Sequence, residues 1–255
     1  MRILRPKVPP PAEEPDRPPV LDPDLVIARL EPLLLPRRVE RLRRVLAGRS
    51  AHVTFVFEDM VDPHNLSAAL RSLEAFGFQD MHLVNPAVRI GLARKITQGT
   101  ERWLTVTDHE SLPHCVEGLR ADGYRVLASH VIVSADAAEA AGAGAEGRAA
   151  PEPLTAIDFS RPTALLFGNE HAGVSELALA LADGTFRIEM LGFVESLNLS
   201  VAAAISAFHA RQHMARLAAE AGDPMRFALP APRRKALYAQ WLRQSVRAAE
   251  KILGE

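Results

Sequence analysis

The sequence predicts an α/β protein built on a parallel sheet with helices on both faces. Short apolar runs rich in β-branched and aromatic residues alternate with stretches whose apolar residues recur at helical spacing. The links between them are short, as in a sheet wound by strand–helix–strand units. Runs such as HVTFVFE and TALLF read as buried strands, as expected where helices cover both faces.

Residues 1–23 are rich in Pro and charge with little to bury, the composition of a disordered tail. An apolar patch over 25–36 is broken by Pro32 and closed by Pro36, so residues 1–36 read together as a Pro-rich, disordered extension. Arg37 to Arg49 then carries Arg37, Arg38, Arg41, Arg43, Arg44 and Arg49 against one acid, Glu40. Val39, Leu42, Val45 and Leu46 recur at helical spacing, which predicts a basic amphipathic helix; a solvated charged face is the alternative. HVTFVFE (52–58) is the first strand, and a helix from Asn65 to Phe76 is stopped by Gly77. MHLV (81–84) is the second strand, closed by Asn85-Pro86, and RWLTV (102–106) the third. A helix over Ser111–Arg120 and the strand YRVLAS (124–129) follow. Residues 136–153 form an Ala/Gly-rich loop ending in prolines. TALLF (163–167) is a strand, Ser175–Leu181 a short helix and FRIEM (186–190) a further strand. A long helix runs from Ser196 to about Ala219, and after Gly222-Asp223-Pro224 a last basic helix spans Arg233–Ile252 with Tyr238 and Trp241. The main domain is thus expected over 37–220 and a basic C-terminal helix over 221–255.

Bulk properties narrow the function. Hydrophobic residues make up 48% of the 255, enough for a sizeable core. A net charge of -1 does not announce a nucleic-acid partner, so any phosphate contacts need locally concentrated cations. The single cysteine, Cys115, excludes an internal disulfide and a zinc site of paired cysteines, and fits a reducing compartment. No apolar run approaches the roughly 20 residues that span a bilayer, and prolines stand where a signal peptide needs its apolar stretch. A cytoplasmic protein is expected.

Gly142, Gly144 and Gly147 match G-x-G-x-x-G, but lie among alanines with Pro151 and Pro153 behind them instead of a helix. A dinucleotide site needs that pattern between a strand and a helix, so this is a decoy. Gly168-Asn-Glu-His-Ala-Gly173 follows the TALLF strand, where open α/β sheets place ligands; it lacks the Lys-Ser/Thr of a phosphate loop, and a simple turn stays open. In Met190-Leu-Gly-Phe-Val-Glu-Ser-Leu-Asn-Leu-Ser200, polar groups at Ser196, Asn198 and Ser200 crowd a helix start, more than capping alone needs. In His64-Asn-Leu-Ser-Ala-Ala-Leu-Arg71, Asn65 and Arg71 stand six apart on a largely apolar helix; capping and a salt bridge are the plain alternatives. His209 and His213 have metal-ligand spacing but no glutamate or evident third ligand, and no metal is expected.

Taken together and in order, HNLSAALR, LLFGNEHAG and EMLGFVESLNLSVAAAI resemble the three motifs of the SpoU (SPOUT) family of RNA methyltransferases. RRVERLRRVLAGR, VNP, TQGTERW and LYAQWLR are similar to segments of its TrmH-like branch, which methylates a guanosine ribose in the tRNA D-loop. The chain departs from the family at Glu189, which usually is Pro, and at His171, often Lys in that branch. The resemblance implies a C-terminal trefoil knot, a homodimer, and methyl transfer from S-adenosyl-L-methionine to an RNA ribose 2′-hydroxyl, with tRNA the first candidate. The same chemistry on ribosomal RNA or another tRNA position, or a catalytically silent RNA-binding knot, are the alternatives. The implied catalytic residues are Arg71, Asn65, Glu170, Ser196 and Asn198. The implied cofactor cradle is Ser129, Gly168, Ile188, Met190, Gly192 and Leu197. RNA contacts fall to Arg37, Arg38, Arg41 and Arg44 in front and to Arg233, Arg234, Lys235 and Arg243 behind, with Arg49 and Arg247 flanking them. Trp241 and Tyr238 are expected to pack on the core.

Overall fold

The computed structural model describes residues 21–84, 99–130, 150–169, 172–194 and 196–254. The expected tail over 1–20, the Asn85-Pro86 stop, the Gly142–Gly147 decoy, Glu170 and His171 lie outside them. The described elements are α1 (Pro23–Leu30), α2 (Pro36–Ala47), β1 (Val53–Glu58), α3 (Pro63–Ala75), β2 (Asp80–Val84), β3 (Thr105–His109), α4 (Leu112–Ala121), β4 (Arg125–Ser129), β5 (Glu152–Pro153), β6 (Thr163–Phe167), α5 (Glu176–Leu181), β7 (Gly184–Arg187), α6 (Leu199–Glu220), α7 (Ala231–Ser245) and α8 (Ala249–Leu253). The strands form one sheet in the order β3-β2-β1-β6-β4-β7-β5, and each pairing is parallel. The expected α/β fold with a parallel sheet is observed. β6 inserts between β1 and β4, strands formed much earlier in the chain.

Alternation along the strands divides the core. Phe55, Phe57, Met81, Leu83, Leu165 and Phe167 face α3 and α6. Val56, Val84, Val126, Ala128, Ala164 and Leu166 face α4 and α5. Local chemistry sets the helix ends. Proline in the first turn opens α2, α3, α4 and α7, where its missing N–H costs nothing. Asp62, Ser175 and Asn198 cap α3, α5 and α6 with side-chain oxygens. Gly77 follows α3 at φ 78°, and a side chain there would press within 2.8 Å of the Gly48 carbonyl.

Several expectations need correction. Residues 23–36 are not a disordered extension: α1 caps on Asp22 and buries Val26 and Leu30 against α7. The apolar patch there had a partner more than 200 residues away, invisible to a local reading. The buried residues of α2, Leu42 and Leu46, join the same cluster, so α1, α2, α7 and α8 form a helical unit from both chain ends. The third strand is shifted, because Thr100–Trp103 closes as a 3₁₀ turn that sets Trp103 edge-on to Trp241 at 5.6 Å. β7 stops at Arg187, two residues into the FRIEM run, and Ile188–Met190 leave the sheet. The last helix is two, broken where Ala248 takes φ 56°.

Candidate active site

A cavity of about 430 Å³ opens at the carboxyl ends of β4, β6 and β7, beside the point where the strand order reverses. Ser129 ends β4 beneath it, Gly168 follows β6, Ile188 and Met190 follow β7, and Ser196 and Leu197 precede α6; all six line the space. Its size and mixed lining suit a small organic ligand. Phe167, Phe186, Leu199 and Ala202 supply apolar wall, while Ser129, Asn169 and Ser196 supply polar groups. Gly192 does not line it. The chain bends outward at Gly192–Phe193, leaving Leu191 and Phe193 fully exposed.

The GNEHAG turn is locked by its own backbone. Asn169 N donates to Gly173 O and Gly173 N to Asn169 O, both at 2.9 Å. A Cβ on Gly168 would overlap the Gly173 carbonyl and Val174 nitrogen. Gly168 is therefore demanded first by turn closure, and only then offers its backbone to the cavity. The Asn169 amide donates to Asp59 O at 2.8 Å, and the buried Glu58 carboxylate accepts Ser175 N at 3.1 Å and Ser175 Oγ at 2.7 Å. The end of β1 thus holds the turn on both sides.

Asn65 and Asn198, 133 residues apart, meet: Asn198 Nδ2 donates to Asn65 Oδ1 at 2.9 Å. The Asn198 Oδ1 accepts Ser200 N at 2.9 Å and Ser200 Oγ at 2.6 Å, so one side chain caps α6 and ties it to α3. Asn65 itself is inside the first turn of α3; the cap is Asp62. Arg71 is exposed on α3 and makes no hydrogen bond or ion pair with any described residue, which removes the salt-bridge alternative among them. It is not a cavity-lining residue. Asn169, His130 and Glu176 also line the cavity and were missed in the sequence. Asn169 sat inside a recognised motif, but His130 and Glu176 carry no local signal.

The sequence profile of the SpoU rRNA Methylase family matches residues 52–208. The chain belongs to this family. It is 37% identical over 207 residues to the tRNA (guanosine(18)-2′-O)-methyltransferase of Thermus thermophilus, covering 81% of this chain and 96% of that one. The Escherichia coli K12 protein of the same name is 33% identical over 177 residues, 69% of this chain and 70% of its own. Among solved structures, the Aquifex aeolicus TrmH/SpoU tRNA modifying enzyme superposes with a TM-score of 0.63 at 24% identity, over 83% of this chain and 98% of that one. An AdoMet-bound rRNA methyltransferase from Sinorhizobium meliloti gives 0.53 at 26% identity, over 68% and 60%.

In this SpoU-family chain the basic residues expected to meet RNA are not equivalent. Arg37, Arg41 and Arg44 are exposed on α2, and Arg38 lies over the Trp103 ring at 5.6 Å. Arg38 and Arg41 rim a recess of about 130 Å³ floored by Trp103 and Trp241. Behind, Arg233 is paired with Asp80 and Lys235 with Asp24, which spends part of their charge inside the protein. Burial pushes the Asp80 carboxyl up although Arg233 opposes it. Arg234 and Arg243 are half-buried on α7. Arg49 is no RNA contact: it is 1% exposed, paired with Glu74 and donating to Phe78 O at 3.2 Å. Trp241 and Tyr238 are buried, Tyr238 donating its hydroxyl to Glu31. No helix among the described residues is long and apolar enough to cross a membrane.

Proposed function

We propose that this chain transfers a methyl group from S-adenosylmethionine to the ribose 2′-hydroxyl of a D-loop guanosine in tRNA. The observation that carries the reading is the Asn198–Asn65 hydrogen bond, which joins the first and third family motifs beside a cavity built from the second and third. The relatives named for tRNA guanosine-18 support the substrate, and the AdoMet-bound relative supports the cofactor.

The cavity fits such a cofactor, with apolar walls for a purine and polar groups for ribose and amino-acid ends. When bound there, S-adenosylmethionine supplies an electrophilic sulfonium methyl. Ser129, Gly168, Ile188, Met190 and Leu197 hold it. Gly192 shapes the bend that carries the chain out of the site. Ser196 binds ribose or phosphate of the RNA at the rim. Asn65 and Asn198 fix α3 against α6 and so aim Arg71, and Glu170 joins Asn198 in ordering the site. Displacement at a methyl group needs the attacking oxygen in line, so this positioning supplies much of the acceleration. Arginine is a poor base in water, since its guanidinium stays protonated. Arg71 therefore orients the hydroxyl and stabilises the developing alkoxide as its proton passes to solvent water. The absence of a competing partner for Arg71 among the described residues suits that task.

The α2 arginines, together with Arg234 and Arg243, bring tRNA phosphates to the site. We extend the proposal to a C-terminal trefoil knot, supported by the insertion of β6 between β1 and β4, and to a cytoplasmic homodimer. Pairing would cover Leu191, Phe193 and Val194 together with Val201, Ile205 and Phe208 on α6, all exposed.

The test is to incubate the protein with labelled S-adenosylmethionine and separate pools of unmodified tRNA and ribosomal RNA. Label at the D-loop guanosine, lost in Arg71→Ala with cofactor binding retained, is expected. Label only in ribosomal RNA overturns the substrate. No label in either pool, with no cofactor bound, overturns the enzyme.

A further inference from the structure

His82, His109 and Cys115 gather two imidazoles and a thiol at the β2–β3 edge, their ligand atoms all within 4.8 Å of one another. The register explains the pair: His82 aligns with Thr107 and Val84 with His109, so both histidines leave the same sheet face. His82 Nδ1 faces His109 Nε2 at 2.9 Å, with the rings inclined at 34°. Cys115, in the buried stripe of α4, comes down on that face. Methyl transfer has no use for this cluster. The cavity stands on β4, β6 and β7, and β1 separates β6 from β2.

The donor set is two nitrogens and one sulfur, suited to a borderline-soft cation such as Zn²⁺. The two imidazoles already hold one proton between converging lone pairs, a position a cation can take. With Zn–N bonds of about 2.0–2.1 Å in a tetrahedral site, the nitrogens must stand about 3.3 Å apart. Opening from 2.9 Å is thus a movement of about 0.4 Å. His114, exposed beside Cys115, has its ring 6.1 Å from that of His109.

We propose that His82, His109 and Cys115 bind one Zn²⁺ ion that pins α4 to the β2–β3 edge. Two Zn–N bonds and one Zn–S bond form. The thiol proton leaves to solvent, and the imidazole that donated the hydrogen bond carries its proton on the other ring nitrogen. The site departs from the expectation of no metal, because a cluster spread over two strands and a helix has no sequence spacing to announce it.

The test titrates metal-stripped, full-length protein with Co²⁺, a spectroscopic substitute for Zn²⁺. The chain has one cysteine, so a thiolate-to-cobalt charge-transfer band can only come from Cys115. One equivalent with that band is expected, displaced by Zn²⁺ and absent in Cys115→Ser. His82→Asn and His109→Asn should each weaken binding about tenfold or more. Zn²⁺ should raise the melting temperature of the wild type and not of Cys115→Ser. Far-UV circular dichroism without metal checks that each variant folds, and the wild-type band stands whether or not they do. Its absence, or undiminished affinity in both folded histidine variants, overturns the site.

Discussion

Replacing Arg49 with alanine separates two roles that the sequence merges. Arg49 ends the arginine-rich segment and looks there like one more phosphate contact. In the fold it is 1% exposed, ion-paired with Glu74, bonded to the carbonyls of Phe78 at 3.2 Å and Glu74 at 3.4 Å, and 5.4 Å from the Trp241 ring centroid. It therefore joins α3, the start of β2 and the terminal helical unit. Burial draws its guanidinium down, with Glu74 opposing. Removing one partner of a buried pair costs roughly 3–5 kcal/mol, and truncation to alanine adds a cavity. Two features reduce this: Glu74 can rehydrate, since its side chain is 27% exposed, and Arg49 Nε already lacks a hydrogen-bond partner. A loss of about 3 kcal/mol remains, which at about 2–4 °C per kcal/mol for a chain of this size lowers the melting temperature by about 6–12 °C. Thermal unfolding by circular dichroism measures it. Alongside, the salt dependence of RNA binding should be unchanged in Arg49→Ala but shallower by about one counterion in Arg41→Ala. A melting temperature within 2 °C of wild type, with a shallower RNA salt slope (about 2 °C being near 1 kcal/mol or less), would refute the assignment of Arg49 to the core.

Other consequences are as direct. A double-mutant cycle between Asn65→Ala and Asn198→Ala should show coupling of about 0.5–1.5 kcal/mol, with Asn198→Ala the costlier single change because it also removes the α6 cap; zero coupling in denaturant titrations would mean the bond is not made. Gly168→Ala should abolish S-adenosylmethionine binding measured by calorimetry, because the added methyl collides with the Gly173 backbone rather than with a yielding side chain. The chain has two tyrosines, and burial raises both, Tyr124 to about 12. A phenol whose folded pKa lies above its unfolded value near 10 binds more protons folded, so its contribution is full below pH 10 and is lost as pH climbs toward 12. Phenolate absorbance should therefore lack one tyrosine's step near pH 10 in the folded protein, and a normal step from both tyrosines would contradict the part-buried Tyr124 hydroxyl bonded to Ala51 O.

Periodicity and local chemistry settled most of the elements. TALLF matches β6 residue for residue, and Ser111–Arg120 and Ser175–Leu181 match α4 and α5 to within a residue, with Ser175 capping α5, because buried strands and short helices are written in adjacent residues. The family resemblance likewise marked Ser129, Gly168, Ile188, Met190, Ser196 and Leu197, all of which meet at one cavity. What failed was decided at a distance. Pro32 and Pro36 made 25–36 look unstructured, but Val26 and Leu30 bury against α7 from the other end of the chain. FRIEM has strand composition, yet only its first two residues pair, since β5 and β4 offer Phe186 and Arg187 their last partners. Gly192 shares its motif with cavity residues and still points elsewhere, because the backbone bends there. The charge of Arg49, Arg233 and Lys235 was legible, but whether each charge faces solvent or a carboxylate was not. Sequence alone thus determined which segments are strands, helices and motif turns, for these depend on neighbours in the chain. Only the tertiary structure decided which side chains meet, from Asn65 with Asn198 to His82 with His109, because strand order and helix packing place residues together that no spacing relates.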